Sequence, residues 1–202
     1  TFTELTGRPY SLVDGYQMDD AEYAIIGIGS MIETTTTVVD QLRAKGEKVG
    51  CVHITCFRPF PGAEIVEMIS GCKAVAILER MDDPLSQSNP LTMEIKSSIA
   101  DAIQGAEGYP KIDSMPIMHS GSYGLGSRDV TSGDLAAVFE KLTNSNSPEY
   151  FSLGIEHETA LNPIDGLDGR PDGAFSMRGH SVGGFGSVTT NKIIASVSED
   201  LF

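Results

Sequence analysis

Four continuous apolar runs alternate with amphipathic segments through the middle of the chain. The first run, EYAIIGIGS, has almost no polar interruption before it reaches a Gly-x-Gly-Ser turn. Runs of this kind are typical of strands that are buried on both faces of a parallel sheet, because a half-exposed strand alternates apolar and polar residues. The pattern predicts strands at residues 22–30, 49–57, 73–80 and 116–119.

The segments between and after these strands carry apolar residues at helical spacing. In NPLTMEIKSSIADAIQG they recur about every four residues from Leu91, with Asn89 as a cap and Pro90 at the first helical position. The last of these helices, in TSGDLAAVFEKL, is predicted to be capped by Thr131 or Ser132. Strand and helix in repeated alternation predict an α/β fold: an open, mostly parallel sheet with helices on both faces and right-handed crossovers.

The same pattern divides the chain into four sections. Residues 1–20 are predicted to form a polar arm and residues 21–144 the α/β domain. Residues 145–173 are rich in Asn, Pro, Gly and Asp, which predicts a linker with one extended stretch at 150–155. Residues 174–202 hold a short strand, a glycine loop and a helix with an apolar face at Ile193, Ile194 and Val197. The chain begins without methionine, at TFTELTGRPY, so we expect a piece of a larger protein.

Composition narrows the classes of partner. The net charge of −14 argues against nucleic acid and anionic membrane, since both bind positive surfaces. No apolar run is long enough to cross a bilayer, which takes about 20 residues. The cysteines, Cys51, Cys56 and Cys72, lack CxxC spacing. They suit a reducing cytoplasm, and they are too few for an iron–sulfur cluster ligated by this chain alone.

The glycine loop RGHSVGGFGSVTTNK is the first candidate site. Its glycines, at 179, 183, 184 and 186, match neither GxGxxG nor a P-loop. Backbone N–H groups at the start of the following helix attract a phosphate, and Ser187, Thr189 and Thr190 could donate further hydrogen bonds. Spacing alone favours a tight strand-to-helix turn over an anion site, and both interpretations stay open.

Two other glycine-containing stretches carry polar residues. GIGS at 27–30 ends the first strand, where open α/β sheets often bind ligands, although a simple turn explains the spacing better. In YGLGSRDVTSGDL, Arg128 and Asp129 precede a helix, so Arg128 could clamp a carboxylate or phosphate. An Arg128–Asp129 ion pair at an interdomain contact is the interpretation that we favour.

The remaining chemistry indicates no catalytic centre. His157 lies between two glutamates, but HET has no HExxH continuation, which argues against zinc. No Ser/His/Asp or Cys/His set with recognisable spacing is present. From the residues alone we therefore predict no catalytic residues and no metal ligands in this chain.

Several phrases together resemble a known family. TGRPY, DAEYAIIGIGS, LRAKGEKVG, FRPFP and YGLGSRDVT are similar to the second domain of pyruvate:ferredoxin oxidoreductases and their 2-oxoacid relatives. The resemblance runs from Leu5 to about Leu142, and it implies a fold like the C-terminal domain of transketolase. MRGHSVGGFGSVTTNKIIA resembles the start of the family's next domain, called gamma in multi-subunit members, in which case the loop would open a domain that continues beyond Phe202.

The resemblance implies oxidative decarboxylation of a 2-oxoacid with coenzyme A to an acyl-CoA, with ferredoxin or flavodoxin as electron acceptor. Thiamine diphosphate and [4Fe-4S] clusters are expected in the full-length enzyme, on sections other than this one, so this fragment would hold no cofactor and be inactive alone. Its role would be packing against other domains or subunits of the same oxidoreductase, with a homo-oligomer as the expected assembly. The gamma-like section is associated with coenzyme A, which makes Gly183, Gly184, Gly186, Ser187, Thr189 and Thr190 the candidate phosphate loop.

A second hypothesis belongs to another class. The chain could be an autonomous α/β module that binds a small molecule or anion at GIGS or GLGSRD, without catalysis. The scaffold hypothesis predicts that apolar residues of the tail helix have no partners in a monomer, whereas the module hypothesis predicts an ordered tail and stabilisation by ligand.

Overall fold

The computed structural model describes residues 2–8, 10–144, 147–167, 169–170, 173–174, 182, 184 and 186–201. The chain divides into two compact units, residues 1–169 and residues 170–202. The first unit contains a six-stranded sheet, and the second contains one described helix. Each unit is considered by itself.

The first unit confirms the predicted α/β fold. Its strands are β1 (Val13–Tyr16), β2 (Tyr23–Ile28), β3 (Val49–Ile54), β4 (Ala74–Glu79), β5 (Ile117–Ser122) and β6 (Tyr150–Ser152). Its helices are α1 (Phe2–Thr6), α2 (Met31–Arg43), α3 (Gly62–Ile69), α4 (Pro90–Gln104) and α5 (Ser132–Leu142), with a short 3-10 turn at Leu125–Ser127. The helix of the second unit is α6 (Ser187–Leu201).

The sheet is mostly parallel and open. Its order is β1-β3-β2-β4-β5-β6, in which β1 alone runs antiparallel to its neighbour. Every residue of β4, the strand with β2 on one side and β5 on the other, is buried. This explains its apolar sequence from Ala74 to Leu78, because side chains on both faces of a covered parallel strand are removed from water.

Two apolar layers sandwich the sheet. On one face, α2 and α5 pack over strand residues such as Ile25 and Leu78, with Phe139 of α5 in the same layer. On the other face, α3 and α4 pack over strand residues such as Ile26 and Ile77, with Ile95 of α4 in the same layer. Ile25 and Ile26 are consecutive and face opposite layers, as the period of two in a strand requires. The predicted placement of helices on both faces is confirmed.

The sheet also includes residues that the sequence pattern had assigned to the arm and the linker. β1 lies within residues 1–20, and it pairs with β3 in the register Val13↔Ile54 to Tyr16↔Cys51. β6 lies within residues 145–173 and pairs with β5. β6 falls within the extended stretch predicted at 150–155. Both strands are short, so their apolar signal is weak, and pairing with an exposed sheet edge decides their conformation.

The two predicted helix caps have different outcomes. Thr131 caps α5 as predicted: its hydroxyl accepts from the backbone N–H of Asp134, and the Asp134 carboxylate accepts from the N–H of Thr131. Asn89 stands at the cap position of α4, but its side chain makes no bond to the helix. The buried carboxylate of Glu79, on β4, accepts from the N–H groups of Leu91 and Thr92 instead, at 2.8 and 3.1 Å.

Candidate functional site

A polar cleft of about 440 Å³ lies where β4, β5 and β6 end. We call it the carboxyl-edge cleft, because parallel strands in one sheet present their carboxyl ends at the same edge. Ligands of open α/β sheets bind outside this edge. The cleft is lined by Asp82, Asp83, Pro84, Ser86, Gln87, Ser88, Asn89, Ser120, Ser122, Leu125, Tyr150, Phe151, Ser152, Ile155, His157 and Thr159.

Asn89 holds one wall of the cleft in place. Its amide donates to the carbonyl of Met81 and to the hydroxyl of Ser122, at 3.2 and 3.1 Å, and its side-chain oxygen accepts from the N–H of Asp83 at 2.9 Å. Ser122 in turn donates to the carboxylate of Asp82 at 2.9 Å. The buried Asn89 and Ser122 side chains therefore fix the position of the Asp82 carboxylate.

The opposite wall comes from β6 and the loop after it. The ring nitrogen Nδ1 of His157 lies 2.8 Å from the hydroxyl of Thr159, and that hydroxyl lies 3.2 Å from the hydroxyl of Ser152. The N–H of Thr159 also donates to Nδ1 of His157, which places the ring proton on Nε2 when His157 is neutral. Tyr150 closes this wall by donating to the carbonyl of Gln87.

The electrostatic character of the cleft is negative. Asp82 and Asp83 bring carboxylates to it, and no lysine or arginine is among its described lining residues. Lys96, outside the lining, donates to Ser88 at 3.3 Å and forms an ion pair with Glu149 at 2.5 Å. Glu149 offsets that charge.

The residues singled out from YGLGSRDVT do not line this cleft. Arg128 and Asp129 are both exposed and follow the 3-10 turn at Leu125–Ser127. Gly124 and Gly126 have φ values of 67° and 61°, which explains the glycines because this left-handed region is costly for other residues. The interdomain role of Arg128 and Asp129 stays a prediction.

The glycine loop precedes a helix, as the sequence predicts. α6 begins at Ser187, the N–H of Thr190 donates to the carbonyl of Gly186 at 3.0 Å, and Gly184 and Gly186 have φ values of 91° and 75°. Ser187, Thr189 and Thr190 all fall in the first turn of α6. Gly179 and Gly183 lie outside the described residues, as does most of the segment before the loop in which a short strand is predicted.

The turn at GIGS agrees with the simpler of its two interpretations. Gly29 adopts a φ of 86° and Ser30 immediately precedes α2. Neither residue lines the carboxyl-edge cleft, whose walls come from the other half of the sheet. The strand end is a turn that needs glycine for its backbone conformation.

The buried titratable groups are unsuited to nucleophilic or metal chemistry. Burial raises the pKa of the Cys51 thiol to about 12 and that of Cys72 to about 11, so both stay protonated at neutral pH. Burial lowers the pKa of His119, whose Nδ1 lies 3.0 Å from the carbonyl of Pro148. The described part of the chain has no group of three His, Cys, Asp or Glu side chains placed to hold a metal.

A second, larger cleft lies at the opposite edge of the sheet. It measures about 830 Å³ and is formed by the end of α2, one side of α5 and the loop at residues 164–167. Leu42, Phe139 and Ile164 give it an apolar floor, and Lys45, Glu47, Lys48 and Glu140 are among its charged lining residues. Its charges are mixed in sign, so it selects less sharply for one ligand charge than the carboxyl-edge cleft.

Comparison with known proteins identifies the relatives of this chain. Residues 21–118 match the family model for pyruvate:ferredoxin oxidoreductase core domain II. The chain is 33% identical to a pyruvate-flavodoxin oxidoreductase of Klebsiella pneumoniae over 97% of its own length and 16% of the relative's. The chain is similar to the pyruvate:ferredoxin oxidoreductases, and residues 21–118 match core domain II of that family.

Further relatives agree with this assignment. The Moorella thermoacetica pyruvate:ferredoxin oxidoreductase is 31% identical over 93% of this chain and 16% of the relative. The Thermotoga maritima pyruvate synthase subunit PorA is 35% identical over 72% of this chain and 34% of the relative. This chain thus spans about a sixth of the longer relatives. A solved 2-oxoglutarate:ferredoxin oxidoreductase from Magnetococcus marinus, with 2-oxoglutarate, coenzyme A and succinyl-CoA bound, shares 18% identity at a TM-score of 0.45. The match covers 71% of this chain and 21% of the solved chain, and this likeness is too slight to support an inference.

The core domain II match stops inside the α/β unit of this chain. Residues 21–118 run from just before β2 to the start of β5, so β1 and β6, and with them one wall of the carboxyl-edge cleft, lie outside it. Sequence reasoning missed this cleft. A signal was available, because hydroxyl and acidic residues follow β4 in ERMDDPLSQSN and occupy the end of β5 in HSGS.

None of the helices in the described ranges is long and apolar enough to cross a membrane.

Proposed function

We propose that this chain is a scaffold section of an enzyme that oxidatively decarboxylates a 2-oxoacid with coenzyme A, passing electrons to ferredoxin or flavodoxin. The observation that carries the proposal is the similarity over 97% of the chain to one section, 16% by length, of the Klebsiella pneumoniae pyruvate-flavodoxin oxidoreductase. No comparison supports the autonomous binding module.

The residues of the chain support a scaffold role over a redox role. A [4Fe-4S] cluster usually takes four thiolates, and the sequence has three cysteines, two of them buried with raised pKa values. The chain therefore does not fit such a cluster, and no electron-transfer step is assigned to it. Its contribution is a rigid sheet with two packed faces, against which neighbouring sections of the enzyme can assemble.

The purified 202-residue chain is expected to show no turnover with pyruvate, coenzyme A and a viologen acceptor under anaerobic conditions. The Moorella thermoacetica enzyme serves as the positive control. In a second arm, the chain replaces the matching section of the Klebsiella pneumoniae enzyme, and the chimera is expected to retain pyruvate-dependent acceptor reduction. Turnover by the isolated chain, or a chimera that assembles at the normal size yet stays inactive, would contradict the scaffold role.

We also propose that the glycine loop binds a phosphate of coenzyme A. Support comes from the helix that starts at Ser187, the left-handed glycines before it, and the hydroxyls in its first turn. N–H groups at a helix start are unpaired within the helix, and the helix dipole favours an anion there. Gly183, which belongs to the same candidate loop, lies outside the described residues.

Replacing Ser187 with alanine is expected to weaken coenzyme A binding to the chain by about 10- to 150-fold, because a hydrogen bond to a charged phosphate is worth about 1.5–3 kcal/mol and about 1.4 kcal/mol is tenfold. Titration calorimetry measures the dissociation constant. Ser196→Ala, an exposed position farther along α6, is the matched control and should leave the constant unchanged. Equal affinities for the Ser187 variant and the original chain would rule out this loop as the phosphate site.

Several apolar residues of α6 are exposed. Ile193 and Val197, on the apolar face that the sequence predicts, are 59% and 49% exposed, and Val188 is 79% exposed. This exposure supports our proposal that α6 packs against further protein, either another section of the same enzyme or a second copy of the chain.

A further inference from the structure

The carboxyl-edge cleft has the properties of a ligand site. Its volume of about 440 Å³ falls within the range of small-molecule sites, about 300–1,000 Å³, and it lies at the edge of the sheet where such folds bind ligands. Asn89, Ser120 and Ser122 are buried polar side chains at its base. The scaffold role does not use this cleft.

The charge of the lining decides the class of ligand. An anion in the cleft would meet the carboxylates of Asp82 and Asp83, with no arginine or lysine among the described lining residues to offset them. Lys96 does not change this, since Glu149 already pairs with it. A phosphate, a 2-oxoacid or coenzyme A is therefore disfavoured here.

A bare metal ion is disfavoured by geometry. Divalent cations in proteins need several carboxylate or imidazole ligands that converge on one point. The described side chains of the cleft, like the rest of the described chain, bring together no three such groups. Asp82 is instead oriented by Ser122 to accept hydrogen bonds from a ligand with several N–H donors.

The rim adds an apolar contact beside this acceptor. Pro84 and Ser86 both line the cleft, and Leu85 between them is 97% exposed. An exposed leucine beside fixed carboxylates suits a ligand that joins a methylene stem to a cationic head, because the stem covers the leucine while the head reaches Asp82.

We propose that the carboxyl-edge cleft binds a protonated amine or guanidinium group carried on a methylene stem, with the Asp82 carboxylate as its principal partner. The group has two possible sources: a free alkyl amine or guanidine, and a lysine or arginine side chain of a polypeptide. This proposal does not rest on the oxidoreductase role, because the side chains that line the cleft are its whole support.

The test uses the full 202-residue chain and titration calorimetry at low salt. Agmatine represents the free source, and an acetylated, amidated Leu-Arg-Leu peptide represents the polypeptide source. Saturable binding of either probe is expected, tighter for the one that matches the natural source. Asp82→Asn should weaken it by about 10- to 150-fold, since charge-assisted hydrogen bonds are worth about 1.5–3 kcal/mol and about 1.4 kcal/mol is tenfold.

Matched controls separate a built site from general attraction to an acidic protein. Asp113→Asn removes one charge at an exposed position outside the cleft and should leave binding unchanged. Inorganic phosphate should not compete with either probe. Thermal melts establish that both variants fold like the original chain. Absence of saturable binding by both probes, or equal weakening in Asp113→Asn, would overturn the proposal, and neither result bears on whether the chain supports oxidoreductase activity.

Discussion

Replacing Phe151 with alanine is expected to lower the free energy of unfolding of the α/β unit by about 3–5 kcal/mol, the usual cost of emptying a buried phenylalanine site. Phe151 is 3% exposed and belongs to the apolar layer beneath α2 and α5. Its ring packs so closely against β5 that a Cβ on Gly121 would lie 2.4 Å from the ring. Chemical denaturation followed by far-ultraviolet circular dichroism measures the change.

The control for this prediction is the exposed phenylalanine of the same unit. Phe2 is 52% exposed, and Phe2→Ala should cost less than about 1 kcal/mol, as surface substitutions usually do. If the two substitutions lowered the free energy of unfolding equally, β6 would be a peripheral strand. The linker predicted from sequence would then be the better description of residues 145–173. A large difference instead establishes that β6 completes the core.

Phe151 also shows where sequence patterns stop being informative. β2, β3 and β4 were predictable because covered parallel strands must be apolar on both faces, and that requirement is local to each segment. β6 has only three residues and one large buried side chain, so the sequence predicts an extended stretch at 150–155 but not its place in the sheet. Its conformation is decided by the unpaired edge of β5, which is distant in sequence.

The candidate sites divide in the same way. The start of α6 after the glycine loop was predictable, since glycines followed by hydroxyl residues and an apolar face are a local pattern. The carboxyl-edge cleft draws its walls from segments around residues 82–89, 120–125 and 150–159. Only the strand order brings these segments together, and that order includes β6, whose pairing in the sheet was not predicted from the sequence.

Replacing Glu79 with alanine is expected to destabilise the α/β unit by about 3 kcal/mol, because hydrogen bonds to a buried charge are worth about 1.5–3 kcal/mol and their loss leaves buried donors unpaired. The carboxylate, on a side chain 9% exposed, accepts from the N–H groups of Leu91 and Thr92 and from the Thr92 hydroxyl at 3.1 Å. At about 2–4 °C per kcal/mol for a chain of this size, the melting temperature should fall by about 6–12 °C.

Two further variants decide whether the capping role or charge removal is responsible. Glu79→Gln keeps one acceptor oxygen but turns a donor towards the start of α4, so an intermediate loss is expected. Glu107→Ala removes a glutamate from an exposed loop and should change the melting temperature little. Equal losses for the Glu79→Ala and Glu107→Ala variants would mean that net charge, and not the bonds to α4, governs stability. A larger loss for Glu79→Ala would assign the capping of α4 to a side chain on the neighbouring strand, a role that the sequence had given to Asn89.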